Sequence, residues 1–261
     1  MRNGAIRAVL SAALALCFPL GASFAQAKSD QQSSTSKGGE KTVEEAYLQE
    51  SAEAMMVKEL SRADEKDNKL LALTYARQSL DAGRKNEDIR ASLQYLALEN
   101  TQTIVRSAGL GPTTNNFPDV RMRACEYLGE FPSPDTKDTL VKVALNSRIE
   151  DPMVLCEAIR SLGKIGINDN DEVVDAIAYS VNHFSNVGMS EDRLAVYTMS
   201  AFLDLAKKGK VKDMGTVTKT IMNFTQGNYI GYVKKMAMET LKQLAQLQSG
   251  NSGDSSSSSS K

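Results

Sequence analysis

A three-residue pattern recurs along this chain: a large residue, Ala four positions later, and Leu four positions after that. It reads Val120-Ala124-Leu128, Val154-Ala158-Leu162, Tyr197-Ala201-Leu205 and Val233-Ala237-Leu241, at steps of 34, 43 and 36 residues. A weaker copy, Ala72-Ala76-Leu80, stands 48 residues upstream of the first. Positions i, i+4 and i+8 share one face of an α-helix. The small central Ala allows a partner helix to approach closely. A second stripe begins five residues after each first position, at Cys125, Ile159, Phe202 and Met238. It lies about 100° from the centre of the first stripe. One stripe is therefore expected to bury against a partner helix and the other against a neighbouring repeat. That is what a stack of helix pairs with a continuous core requires.

The 3.6-residue apolar period extends over residues 42–248, with frequent helix punctuation. Thr42-Val43-Glu44-Glu45 has the form of a capping box. Ser133-Pro134 and Asp151-Pro152 each place a capping side chain before a first-turn Pro. Acids Glu191 and Asp192 follow Ser190 at another start, and Gly83, Gly166, Gly188, Gly209 and Gly227 stand where helices stop. These marks predict ten helices, at 42–65, 68–82, 87–107, 118–131, 135–148, 151–166, 170–186, 190–208, 211–226 and 229–247. Short links between them predict antiparallel hairpins.

The phrases PDVRMRACEYLGEF (118–131) and DPMVLCEAIRSLGKIG (151–166) resemble the second helix of the HEAT-repeat family, with Asp and Pro at the start and Leu-Gly near the end. The Gly gives way to Ala206 and then Lys242 further along, and the family's usual Arg after Val is present at Arg121 but replaced by Leu155. The resemblance implies an all-α fold, an α-solenoid of about five antiparallel helix pairs. Its second helices would line a concave face that binds proteins or peptides. It implies no catalytic chemistry and no cofactor.

The two ends read differently. Arg2 and Arg7 precede a short apolar run, Ala8 to Leu20, and Ala25-Gln26-Ala27 has cleavage spacing. Residues 1–27 are expected to be a secretory signal peptide, which places the protein in the periplasm or outside the cell. The rival reading is lipid anchorage through Cys17. Residues 28–41 read as a flexible polar linker and 249–261 as a disordered Ser-rich tail. Between them, 42–248 is the repeat domain, and no transmembrane segment is expected in it. Without the leader, 29 bases face 32 acids, a balance that gives no reason to expect a nucleic-acid partner.

Aligning two second helices reverses the charge at three positions: Arg123 becomes Glu157, Glu126 becomes Arg160 and Glu130 becomes Lys164. Side-by-side stacking predicts lateral ion pairs Arg123–Glu157, Glu126–Arg160 and Glu130–Lys164. The candidate binding residues are Arg123, Glu126, Glu157, Arg160 and Lys164 on the concave face, with Thr113, Asn115 and Asn116 in the loop 108–117. Cys125 and Cys156 are expected to be small buried core residues, the alternative being a disulfide between them. The single His183 lies about 200° from the stripe Val173-Ile177-Val181, which points it outward on a first helix, away from both cysteines. No catalytic or metal-ligand set emerges. The expected function is a non-catalytic protein- or peptide-binding or assembly scaffold of the periplasm or cell envelope. The alternatives are a lyase or hydrolase built on the same scaffold, or a purely structural envelope component.

Overall fold

Capping chemistry sets where the helices begin. The Thr42 hydroxyl accepts from the Glu45 N–H and the Glu45 carboxylate accepts from the Thr42 N–H, both at 3.2 Å. This reciprocal box opens α1 (Val43–Arg62). The Ser133 hydroxyl accepts from the Thr136 N–H at the start of α5 (Pro134–Leu145). Asp151 accepts from the Met153 N–H at the start of α6 (Pro152–Ile165). In both, Pro occupies the first turn, where no N–H is needed. The remaining helices are α2 (Lys66–Asp81), α3 (Glu87–Leu98), α4 (Pro118–Leu128), α7 (Glu172–Asn186), α8 (Asp192–Lys207), α9 (Met214–Gln226) and α10 (Gly231–Gly253). The structure, a computed structural model, describes residues 42–101, 105–106, 111, 113–146, 150–186 and 191–253. The expected leader 1–27, the linker 28–41, Gly188 and the last eight residues lie outside these.

One expected helix is shorter than its sequence period suggests. The apolar pattern predicts 87–107, but α3 ends at Leu98. Two effects stop it. Asn100 takes a positive φ of 60°, a conformation that Asn tolerates better than most residues. Glu99 is drawn into the core to pair with Lys69 at 2.8 Å, both side chains being almost fully buried. The chain then forms a small antiparallel bridge between Arg106 and Thr113.

The helices pack as two layers. α1, α3, α5, α7 and α9 each lie beside the next in one layer, and α2, α4, α6, α8 and α10 do the same in the other. Hairpin partners join the layers, and a continuous core runs from Ala54 in α1 to Leu244 in α10. Val120, Ala124, Leu128, Val154, Ala158 and Leu162 of the first stripe are wholly buried, as expected. Tyr197 and Leu241 are half-buried. Cys125, Ile159 and Phe202 of the second stripe are also wholly buried. Met238 departs from the expectation and is 52% exposed. α10 has α8 and α9 beside it, and among the described residues no further helix pair covers this face.

The Leu-Gly phrase has a steric cause. A Cβ on Gly129 would lie 2.6 Å from the Ser161 hydroxyl of α6, which is pinned by its bond to the Cys125 carbonyl at 2.8 Å. A Cβ on Gly163 would lie 2.7 Å from the Ala201 Cα of α8. Glycine at these two positions is what allows consecutive second-layer helices to touch along their backbones. The C-terminal carbonyls of α6 at Gly163 and Lys164 accept from the Lys208 ammonium at 2.9 and 2.7 Å, a cation at the negative end of the helix.

Arg121 is not available to a partner. It is 2% exposed, is ion-paired with the buried Glu150, and donates to the Ala97 carbonyl at 3.3 Å. The aligned Leu155 is buried without polar contacts. Arg121 thus joins its own helix to the segment before α6. Cys125 and Cys156 are buried, as expected, and both are free thiols. Burial pushes the pKa of Cys156 up to about 12 and that of Cys125 still higher, so neither thiol is a ready nucleophile at neutral pH. His183 is in the first-layer helix α7 and half-buried, remote in layer from both cysteines.

Candidate binding surface

The second-layer helices α2, α4 and α6 lie side by side, and their polar faces form one strip of alternating charge. Two of the three expected lateral pairs are present. Arg160 of α6 meets Glu126 of α4 at 3.3 Å, and Lys164 meets Glu130 at 3.9 Å. The third is absent. Glu157 is only 8% exposed and turns to Arg160 one turn along its own helix, at 2.8 Å. An i,i+3 partner costs less chain ordering to reach than one on another helix. Arg123 is left exposed on α4 and makes no ion pair among the described residues. Partial burial opposes the Arg160 charge, but the Glu157 and Glu126 carboxylates outweigh it and hold its pKa above the ordinary value.

The strip also includes a residue that the sequence reading passed over. Arg77 of α2 donates to Glu130 at 2.8 Å and stacks over the Tyr127 ring at 5.4 Å. Its hydrogen bond to Asp81, then that to Glu130, pushes its pKa up. A signal was available. Arg77 stands five residues after Ala72, where the other second helices carry Cys125, Ile159 and Phe202. A cation at an otherwise apolar, neighbour-facing position needs an anion on that neighbour, and Glu130 supplies it. Tyr197 of α8, expected on the buried stripe, is half-buried beside Glu157; burial, and then the Glu157 carboxylate, raises its phenol pKa.

The loop candidates separate into structural and exposed residues. Thr113 is half-buried in the bridge to Arg106. Asn115 accepts the Val105 N–H at 3.1 Å through its side-chain carbonyl, which fixes the loop rather than offering that oxygen to a partner. Asn116 is exposed. Asn115 also lines a cavity of about 320 Å³ with Gln94, Tyr95, Leu98, Glu99 and Thr139. This cavity opens beside α3 and α5 of the first layer, so the loop candidates and the charged strip do not form one continuous site. Among the described residues, no group of three or more His, Cys, Asp and Glu side chains stands in an arrangement that could hold a metal ion. No described helix is long and apolar enough to cross a membrane.

What this geometry can do is present fixed charges of both signs on a rigid surface. The members of each pair are held by helices whose opposite faces are wholly buried, so their positions are set before any partner arrives. Comparison of the chain with family models matches residues 113–182 to HEAT repeats. The match runs from the loop before α4 into α7 and includes both close-approach glycines of the second layer. Comparison with curated proteins and with solved structures found no match. With ten described helices, no strand among the described residues beyond an isolated bridge, and this match at the centre of a two-layer stack, the fold of the described residues is an all-α, HEAT-like α-solenoid, and residues 113–182 match the HEAT-repeat family.

Proposed function

We propose that this chain is a non-catalytic scaffold for binding proteins or peptides, exported to the periplasm or cell envelope. The observation that carries the reading is the strip Arg77–Glu130–Lys164 and Glu126–Arg160, with Arg123, exposed and without an ion pair among the described residues, beside it. Charges that alternate over one helix spacing favour a partner with its own alternating charges, such as a folded protein face or a mixed-charge peptide. They fit poorly to the uniform negative charge of a phosphate backbone. HEAT repeats suggest a protein-interaction scaffold, which agrees with this reading. The second-layer helices would line the concave side, and Asn116 at the loop would extend the contact. Export rests on the apolar leader and its small-residue cleavage site.

A photoreactive residue in place of Arg123 tests the proposal against one in place of the exposed Asp138 on α5, in the other layer. Crosslinking is done in cells, and adducts are recovered from the envelope. The expected result is a discrete protein adduct from position 123 that position 138 does not give. The Glu126→Lys variant and raised salt should both reduce it, because exposed charges are screened. Equal labelling from the two positions, or none from position 123, would overturn the assignment of this face.

A further inference from the structure

The two ends of the stack differ in charge, and both expose large apolar side chains. At the C-terminal end, α10 exposes Lys235, Met238 and Lys242 on one stripe, and α9 exposes Lys219 and Met222 on another. A groove of about 520 Å³ lies along Met214, Lys219, Met222 and Asn223 of α9 and Gln248 of α10. In α6 the positions of Met238 and Lys242 are held by Ile159 and Gly163, which are covered by α8. The exposed end is thus the surface that a further helix pair would cover. From Lys207 to Lys242 the chain carries eight lysines against two acids.

At the N-terminal end, Glu44, Leu48, Met55 and Glu59 form one stripe on the side of α1 turned away from its buried residues Ala54, Val57 and Ser61. Leu48 is 66% and Met55 64% exposed. From Val43 to Asp67 there are eight acids against three bases. A solenoid that stays single needs polar caps at both ends. These two ends each carry large apolar side chains, flanked by acids at one end and by lysines at the other.

We propose that the ends meet in trans, the acidic face of α1 in one copy seating on the lysine- and methionine-bearing end of α9 and α10 in a second copy. The incoming pair α1–α2 then sits where a further helix pair would pack. Such a contact joins two different surfaces, so a pair of copies keeps one free end of each kind. The assembly grows into short chains unless its rotation closes a ring. The proposal does not depend on the binding role of the charged strip, because it needs only purified copies of this chain.

Sedimentation velocity of the full chain tests it across a hundredfold range of concentration at low salt (roughly 50 mM) and high salt (roughly 500 mM). The mean mass should rise with concentration at low salt and fall back toward the single chain at high salt. Two charge-reversed variants sharpen the test. Lys235→Glu/Lys242→Glu makes both ends acidic, and Glu44→Lys/Glu59→Lys makes both ends basic. Each alone should associate roughly tenfold or more weakly than the parent, because like charges then face each other. An equimolar mixture should recover association, since every contact in it can join opposite charges. All forms should keep the parent's helical circular dichroism and melting temperature, because the substituted residues are exposed. A parent that stays a single chain at every concentration would overturn the proposal. So would a reversed variant that associates alone as well as the parent does, or a mixture that fails to associate.

Discussion

α6 and α10 hold the same place in their repeats but not the same neighbours. Both carry Val, Ala and Leu on the first stripe, and Val154, Ala158, Val233 and Ala237 are all wholly buried. They part where a next helix would lie. Ile159 is buried and Met238 is exposed, and Gly163 touches Ala201 while Lys242 faces solvent. The repeat signature is therefore two signatures. One is kept wherever a helix has a partner in its own pair, and the other only where a further pair follows. The Leu-Gly phrase is kept at Gly129 and Gly163 and is absent at Lys242, beyond which no helix is described; Ala206 departs from it although α10 follows, while the Ala at the centre of the first stripe persists.

The comparison breaks most clearly at the second stripe. Ile159→Ala should cost about 2–5 kcal/mol in unfolding free energy, since it removes buried methylenes and leaves a cavity between α6 and α8. Met238→Ala, at the same repeat position, should stay within about 0.5 kcal/mol. Chemical denaturation followed by circular dichroism reads both. Equal losses would mean that α10 is covered on the face where it stands exposed.

The glycine position gives a smaller effect with a less obvious sign. Ala is the better helix former by about 1 kcal/mol, so Gly163→Ala would stabilise an isolated helix. Here the added Cβ would meet the Ala201 backbone at 2.7 Å, which no side-chain rotation relieves. Overpacking costs about 1–3 kcal/mol, so the net should be a loss of roughly 1 kcal/mol. Lys242→Ala should change stability by no more than about 0.5 kcal/mol. A Gly163→Ala protein more stable than the parent would show that α6 and α8 can move apart at little cost.

The helices and their order were legible because capping side chains and a 3.6-residue period are local signals. The stripe positions gave the layers, and two of the three charge reversals gave real lateral pairs. What was not legible depended on residues distant in sequence. The end of α3 is set by Glu99 reaching Lys69, thirty residues away, and no local pattern marks that pair. Arg121 finds Glu150 in the segment before α6, so an apparently free cation is a buried one. Glu157 chose a partner on its own helix over Arg123 on the next, a competition between two acceptable geometries that spacing alone does not decide. Of the loop residues, Thr113 and Asn115 are engaged in holding the loop, and only Asn116 kept the exposed role expected of it.

The first layer supplies the finest version of the contrast between middle and end. Between α5 and α7, Lys137 donates to Glu172 at 2.7 Å. Between α7 and α9, a side-chain tie nearer the helix C-termini is neutral, Asn223 to Asn182 at 3.4 Å, while at their starts the Asp171 carboxylate accepts from the Lys212 and Asp213 N–H groups at 3.0 and 2.7 Å. Burial works against the Glu172 carboxylate, but the Lys137 ammonium and the Asn170 N–H outweigh it and hold its pKa down at about 2. A carboxyl with a folded pKa below its unfolded value of 4.5 contributes stability that is full above about pH 4.5. That contribution is lost as pH falls through about 2. Both partners keep some access to water, so the contribution should be about 0.2–1 kcal/mol. Glu172→Gln should therefore be less stable than the parent by that amount at pH 6, and the gap should narrow steadily toward pH 2. Asn223→Asp would place a carboxylate at the neutral tie, with no described ion pair to hold it. Measured as melting temperature against pH, it should add no acid-labile stability of the Glu172 kind. A gap for Glu172→Gln that stays constant from pH 6 to pH 2 would mean that the Lys137 contact acts by packing alone, and the middle and the end of the first layer would then be held by the same means.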